Sequence, residues 1–312
     1  MKILITGGAG FIGSHLADLL VDGNHQVVAL DNLSLGTKEN IRHLAQHKNF
    51  IFMKEDLLHL DRLKKIFRTN KFDAVFHLAA NSDIAASAAH PEMDLNNTFQ
   101  TAWNTLECCR LFEAGKFVFA SSSAVYGDAR RKLAEGSGPL SPVSYYGAGK
   151  LASEAFIAAY AAMNHMQSWI VRFPNVVGPR MTHGVIHDFV KKLRANPREL
   201  TILGDGRQKK PYVDVRDLVG AIYFIFQNAG ERLNYFNAGV KDRITVTRIA
   251  RIVCAEMGLK QVQFHYTGGT TGWLGDVPDY RYDLKKLNGL GWKAAHSSAE
   301  AVRLAVRSIL DQ

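Results

Sequence analysis

The chain is poor in cysteine, poor in proline and free of long apolar runs. Its three cysteines, Cys108, Cys109 and Cys254, are too few and too unevenly spaced for a disulfide framework or a metal site. A reducing, cytoplasmic location is expected. The twelve histidines are scattered without ligand spacing, so no metal is expected either. No apolar stretch approaches the ~20 residues that span a membrane, and no membrane partner is expected. The opening MKILITGGAGFIG has no cleavage pattern and reads as a buried strand rather than a leader. Repeats, low-complexity tracts and Pro-rich linkers are missing, which excludes a tethered or repetitive architecture. Acidic charge is in deficit: 38 Lys and Arg stand against 29 Asp and Glu, a net +9. The basic runs Arg130-Arg131-Lys132, Lys191-Lys192 and Lys209-Lys210 are short, dispersed and lack interleaved aromatics, so no nucleic-acid partner is expected. The surplus suits anionic small ligands such as nucleotide diphosphates.

What the chain has is alternation. KILIT (2–6), QVVAL (26–30), NFIFM (49–53), DAVFHLA (73–79), KFVFA (116–120) and QSWIVRF (167–173) read as strands with little polar interruption, fit for a sheet buried on both faces. Helical spacing fills the gaps at 11–22, 37–46, 57–68, from Pro91 to about 113, and from about 145 to 163. Strand–helix alternation predicts an α/β fold, a doubly wound parallel sheet. The second half is less regular, with helical stretches at 183–194, 217–228, 245–257 and 297–310. It reads as a smaller α/β lobe. The expected division is 1–172 for the sheet domain and 173–312 mainly for a substrate-binding lobe, interleaved with the first.

Between the first strand and first helix stand Gly7, Gly10 and Gly13. Glycines let the backbone turn tightly and approach phosphate oxygens, and the helix N-terminus adds partial positive charge. In this setting they predict a Rossmann-type seat for a dinucleotide. Asp31 ends the second strand about twenty residues on, where an acid accepts ribose hydroxyls and repels a 2′-phosphate. No arginine follows before Arg42, so NAD is expected over NADP. Asp56 and Leu57 follow the third strand, where an adenine contact is expected. Ala79 and Ala80 follow the fourth, where small residues let a cofactor lie close.

Tyr146 and Lys150 are one helical turn apart and share a face. An ammonium beside a phenol favours the phenolate, which can take a hydroxyl proton while hydride leaves the same carbon. Tyr145 competes for the role but lies off that face. Ser121-Ser122-Ser123 follows the fifth strand, at the ligand-binding ends of such a sheet. Cys108 and Cys109 fall in a helical pattern and read as packing residues.

TGGAGFIG, the run Asp31-Asn32-Leu33-Ser34-x-Gly36, HLAA at 77–80, SSSAVYG at 121–127 and Tyr146-x-x-x-Lys150 together resemble the extended short-chain dehydrogenase/reductase family, and within it the nucleotide-sugar 4-epimerases. Phe173-Pro174-Asn175-Val176-Val177-Gly178-Pro179-Arg180, Gly204-Asp205-Gly206-x-Gln208, Asn237-Ala238-Gly239 and Gly275-Asp276-Val277 carry the likeness nearly to the end. The resemblance implies Ser122, Tyr146 and Lys150 as catalytic residues. It adds Phe11, Ile12 and Asn32 to the cofactor contacts, with Tyr146 and Lys150 also on that side. Ser123, Asn175, Lys210 and Trp273 are expected on the substrate side. Ser123 and Ala124 stand where the 4,6-dehydratases carry an Asp-Glu pair, which favours epimerisation over water elimination. The chain also departs from the pattern. Gly149 stands where Ser is usual, Lys210 replaces a phosphate-binding Arg, and Thr271, Gly272, Trp273 and Leu274 stand where a second Arg is expected. Lysine keeps a point charge but loses the two-pronged fork.

The implied activity is NAD-dependent epimerisation of a nucleotide-diphosphate sugar, at C4 through a 4-keto intermediate. The alternatives are a nucleotide-sugar 4-dehydrogenase or 4-ketoreductase with net redox change, and a non-catalytic NAD-binding regulatory protein. The family's helix pair at about 91–113 and 145–163 implies a homodimer, through Trp103, Leu106, Phe156, Ile157 and Tyr160.

Overall fold

The computed structural model describes residues 1–128, 132–273 and 275–311; Arg130 and Arg131 of the first basic run, and Leu274, lie outside them. Seven strands form the central sheet: β1 (Lys2–Thr6), β2 (Gln26–Asp31), β3 (Phe50–Lys54), β4 (Ala74–His77), β5 (Lys116–Ser122), β6 (Gln167–Phe173) and β7 (Leu233–Asn237). Their order is β7-β6-β5-β4-β1-β2-β3, and every pairing is parallel. Successive strand residues face opposite sides of a sheet. Ile3 and Ile5 accordingly join one buried cluster with Val27, Ala29, Val118 and Val171. Leu4 joins the other with Val28, Val75, Phe117 and Ile170. Helices Phe11–Asp22 and Val215–Asn228 cover the first face; Leu60–Asn70, Thr101–Leu111 and Tyr145–Asn164 cover the second.

The chain builds outward from β1 to β3, then returns to place β4 on the other side of β1. That reversal opens a crevice at the carboxyl ends of β1 and β4, the usual ligand position in such sheets. A separate apolar cluster joins helices Val185–Ala195, Val246–Glu256 and Ser298–Leu310. Strand Glu199–Ile202 pairs there with Gln263–Tyr266.

Three elements differ from the sequence expectations. A seventh strand, Leu233–Asn237, comes from the second half and pairs with Ser168–Arg172. Its asparagines hide it. Asn234 Nδ2 bonds the carbonyl of Ser168 at 3.1 Å, and Asn237 Oδ1 accepts the Tyr126 hydroxyl at 2.8 Å. The helix from Pro91 is not uniform. A short turn Glu92–Asp94 leads into a π-helical segment Leu95–Gln100 before regular helix resumes at Thr101. Side-chain competition marks the change: Thr98 Oγ1 donates to Asp94 Oδ1 at 3.0 Å, and Thr101 Oγ1 to the carbonyl of Asn97 at 2.9 Å. The stretch at 37–46 forms a 3₁₀ helix, Lys38–Leu44, rather than an α-helix.

Candidate active site

At the mouth of the crevice the glycine loop packs against itself. Gly7 has φ +70°, and a Cβ on Gly13 would fall 2.0 Å from the Gly7 carbonyl oxygen, so no larger residue fits there. Gly10 begins helix Phe11–Asp22 without any side-chain cap. The first amides are therefore free for an anion. Phe11 and Ile12, both half-buried, open that helix. Asp31 Oδ2 accepts from the Ala9 amide at 3.0 Å and Oδ1 from Leu33 at 2.8 Å. The carboxylate thus braces the loop as well as edging the seat, with lone pairs left for ribose hydroxyls. Burial pushes its pKa up, against the pull of the Leu33, Ala9 and Gly10 amides. Asn32 Nδ2 donates to Asp56 Oδ2 at 3.0 Å. Leu57 turns its side chain into the core, so only its backbone can edge the seat. Ala79 lies directly under Gly7: a Cβ there would meet the Ala79 nitrogen at 2.9 Å. Arg42, the first arginine after Asp31, is exposed and paired with Glu39 at 3.2 Å. These residues fit an adenosine ribose without a 2′-phosphate.

The trio expected to be catalytic assembles from two neighbouring elements. Ser122 ends β5, and its Oγ accepts the Ala124 amide at 3.2 Å as the following 3₁₀ turn begins. Ser144 caps helix Tyr145–Asn164, accepting the Gly147 amide at 3.1 Å. That cap aims the first turn, with Tyr146, at β5. Tyr145 is 51% exposed and points away, which removes it as the competing phenol. Lys150 is 2% exposed. Its Nζ donates to the carbonyl of Ala120 at 2.6 Å and lies 5.8 Å from the centre of the Tyr146 ring.

The electrostatics differ from the sequence expectation. Burial raises the Tyr146 phenol to about 12; a hydrogen bond with Ser122 pulls it down and the Asp94 carboxylate pushes it up. Lys150, whose ammonium donates to Ala120, is not among the groups that lower it. Burial also pushes Lys150 down to about 7, against the pull of Asp94 and Glu154. Burial thus shifts both groups toward their neutral forms.

Beneath the trio is a buried brace not anticipated from the sequence. Glu154 continues the Tyr146–Lys150 stripe by one more turn. Its Oε1 accepts from Ser121 Oγ at 2.5 Å and from Arg172 Nε at 2.9 Å, and its Oε2 from Arg172 Nη2 at 2.5 Å. Arg172 also donates to the Tyr126 hydroxyl at 3.0 Å and lies over the Tyr126 and Tyr235 rings, at 4.8 and 5.2 Å. Ser121 and Arg172 are register partners across β5 and β6, so one carboxylate ties the helix to both strands. A charged residue inside the apolar run QSWIVRF was the available signal.

On the substrate side, Ser123 Oγ donates to the Tyr280 hydroxyl at 3.1 Å. Asn175 leaves its buried Nδ2 without a partner. A cavity of about 520 Å³ adjoins Tyr280, with Asp128, Arg243, Thr270, Asp279 and Arg281 among its lining residues. Lys210, expected in the place of a phosphate-binding Arg, is engaged within the protein. It pairs with the buried Asp276 and lies 4.8 Å over the Trp273 ring. Asp276 is held in turn by the Gly272 amide at 3.0 Å. The structure thus gathers Lys210 and Trp273 into one cluster and sets Ser123 in another with Tyr280.

All three cysteines are buried, and burial raises the Cys108 thiol to about 12. They pack rather than react. Among the described residues, no cluster of His, Cys, Asp and Glu could hold a metal ion, and no helix is long and apolar enough to cross a membrane.

Known proteins resemble this chain along nearly its whole length. UDP-glucose 4-epimerase of Mycolicibacterium smegmatis is 31% identical over 313 residues, covering 98% of this chain and 97% of that protein. The crystal structure of a UDP-glucose 4-epimerase from Thermotoga maritima, with UDP-glucose, superposes with a TM-score of 0.90 at 29% identity, covering 100% of this chain and 99% of the other. A dTDP-glucose 4,6-dehydratase from Streptomyces venezuelae, solved with NAD, gives a TM-score of 0.91 at 25% identity, covering 100% and 98%. Residues 3–239 match the NAD dependent epimerase/dehydratase family, and with the glycine seat, Asp31 and the Ser122–Tyr146–Lys150 trio in place, the chain belongs to that family.

Proposed function

We propose that this protein epimerises a nucleotide-diphosphate sugar at C4, with UDP-hexoses the first candidates. One observation carries the reading. Ser122, Tyr146 and Lys150 meet at the carboxyl end of β5, while Ser123 is tied to Tyr280 and Ala124 is apolar. A proton-transfer pair is present, and neither position where the dehydratases carry acids can remove water. The sugar lies between Tyr146 and the crevice, with its 4-hydroxyl toward the phenol. Tyr146 takes that proton once ionised, and Ser122 steadies the reacting oxygen. Lys150 holds the phenolate by its charge and reaches a ribose hydroxyl. NAD, which the glycine loop and Asp31 would hold, would supply the hydride acceptor and donor. The 4-keto sugar turns over, hydride returns to the other face of C4, and Tyr146 returns the proton to O4. The free Nδ2 of Asn175 fits a sugar or phosphate oxygen, and Trp273 offers a stacking face. Lys210 serves a phosphate only if it exchanges Asp276 for it.

Residues 1–172 would hold the cofactor and 173–312 mainly the sugar nucleotide; the entry of Leu233–Asn237 into the sheet supports interleaving. Three buried, unpaired cysteines suit the cytoplasm. The test is incubation with UDP-, GDP-, CDP- and dTDP-hexoses, followed by proton NMR. The expected result is a C4 epimer approaching equilibrium without net NADH; a 4-keto-6-deoxy product or stoichiometric NADH overturns the reading.

A homodimer through the paired helices is part of the proposal. Leu106 and Ile157 are not available for it, being fully buried against the sheet. The outer row is Leu95, Phe99, Trp103, Phe156 and Met163, with Leu95 58%, Phe156 42% and Met163 80% exposed. Phe99 and Phe156 already pack edge-to-face at 5.3 Å. An apolar row of this kind marks a protein interface. Sedimentation should give a dimer, and Phe156→Glu a monomer; a wild-type monomer contradicts it.

A further inference from the structure

Asp94 is a buried carboxylate, 1% exposed, that the reaction as described does not use. Its Oδ1 accepts from Thr98 Oγ1 at 3.0 Å and from Asn81 Nδ2 at 3.2 Å. Thr98 Oγ1 also accepts the Asn81 amide at 3.2 Å, so the three residues form a closed set. The other oxygen, Oδ2, is buried and has no partner. A buried charge normally needs paired or bonded surroundings, and a half-satisfied one suggests a use.

Its position points to that use. Asp94 lies where a short helical turn passes into the π-helical segment Leu95–Gln100, a distortion frequent at functional sites. Helix Tyr145–Asn164 presses on this turn at Gly149. A Cβ on Gly149 would meet the Asp94 carbonyl oxygen and Thr98 Cγ2, each at 3.2 Å. The missing side chain at Gly149 lets Asp94 sit close to the helix turn that carries Tyr146 and Lys150. Resting on the assignment of those two residues, we propose that Asp94 is a positioning residue, a buried carboxylate that sets the protonation state in which the Tyr146–Lys150 pair meets its substrate.

Other charged or titratable groups are accounted for on every neighbouring element. On helix Tyr145–Asn164, Glu154 is neutralised by Arg172, and Tyr145 is exposed. His77, at the end of β4, is held neutral by burial, which lowers it to about 3. On Asp94's own turn, Glu92 is exposed and paired with His90 at 3.3 Å. In the loop before it, Asp83 is exposed and caps the Ala86 amide. The π segment and the turn Ile84–Ser87 carry no charged side chain. Among the described residues, two carboxylates act on the pair: Glu154, bonded to Arg172, reaches Lys150 alone, and Asp94 reaches both. It favours protons on both partners, raising Lys150 and Tyr146 alike. Removing that negative charge lowers both.

The test is the pH profile of kcat/KM for wild type, Asp94→Asn and Thr98→Val, with Asp94→Ser as a second neutral variant. Asn keeps the Oδ1 acceptor and places its amide where Oδ2 has no bond to lose, so the fold is expected to stand. In Asp94→Asn the acid limb should move to lower pH by about one unit. In Thr98→Val, where the charge remains, it should stay. An unmoved limb in both neutral variants overturns the proposal, as does an equal shift in Thr98→Val, which would make the cluster merely structural. The parent assignment fails separately, if Tyr146→Phe keeps wild-type turnover.

Discussion

Tyr146→Phe should fold, bind NAD and lose turnover by about a thousandfold, within the 10²–10⁴ range of a positioned acid–base group. That corresponds to about 4 kcal/mol of barrier. The phenylalanine ring keeps the packing beneath Lys150, at 5.8 Å from the ammonium, so what disappears is the oxygen that takes the sugar proton. The substitution removes one hydrogen bond, to Ser122, and no apolar contact. The melting temperature should therefore move little, and KM should change far less than kcat. Isothermal titration with NAD and steady-state kinetics separate the outcomes. Lost NAD binding would make Tyr146 a structural residue; an unchanged rate would remove it from the chemistry.

Arg172→Ala should be the most damaging substitution for stability. The Arg172–Glu154 pair is 3% exposed on both sides. Removing one partner of a buried pair leaves an uncompensated charge, at a cost of about 3–5 kcal/mol. The guanidinium is also packed against two tyrosine rings, so a cavity adds to the loss. In a protein of this size a melting temperature about 10 °C lower is expected. Arg110→Ala is the contrast. Arg110 pairs with Glu107 at 2.6 Å but is 42% exposed, and such solvent-screened pairs contribute little. Calorimetry on both variants decides. Equal, small shifts would mean that the brace under the active site does not hold the helix to the sheet. Arg172→Lys should fall between, keeping the charge but not the fork.

The two halves of the site were unequally legible in the sequence, for physical reasons. Six strands could be read because burial on both faces demands apolar runs, as in Ile3-Leu4-Ile5. The seventh could not, because Asn234 and Asn237 satisfy backbone and tyrosine partners far away in the chain. The glycine loop, Asp31 and the Tyr146–Lys150 spacing are local signals, set by a turn or a helix. Glu154 shared that helical spacing, but its partner Arg172 lies on another strand. Nothing local marks Asp94 in the sequence, and its closeness to the Tyr146–Lys150 helix depends on Gly149, distant along the chain. Lys210 was located by motif position, but its pairing with Asp276 depends on a contact between residues far apart along the chain.

The central claim is a redox-neutral epimerisation at C4 driven by Tyr146, and a substrate labelled at that carbon tests it most directly. UDP-glucose carrying deuterium at C4, incubated with the protein in ordinary water, should yield the C4 epimer with its deuterium retained, because the hydrogen leaves and returns within one closed pocket. A product with solvent hydrogen at C4, or one that has lost water, would contradict the account.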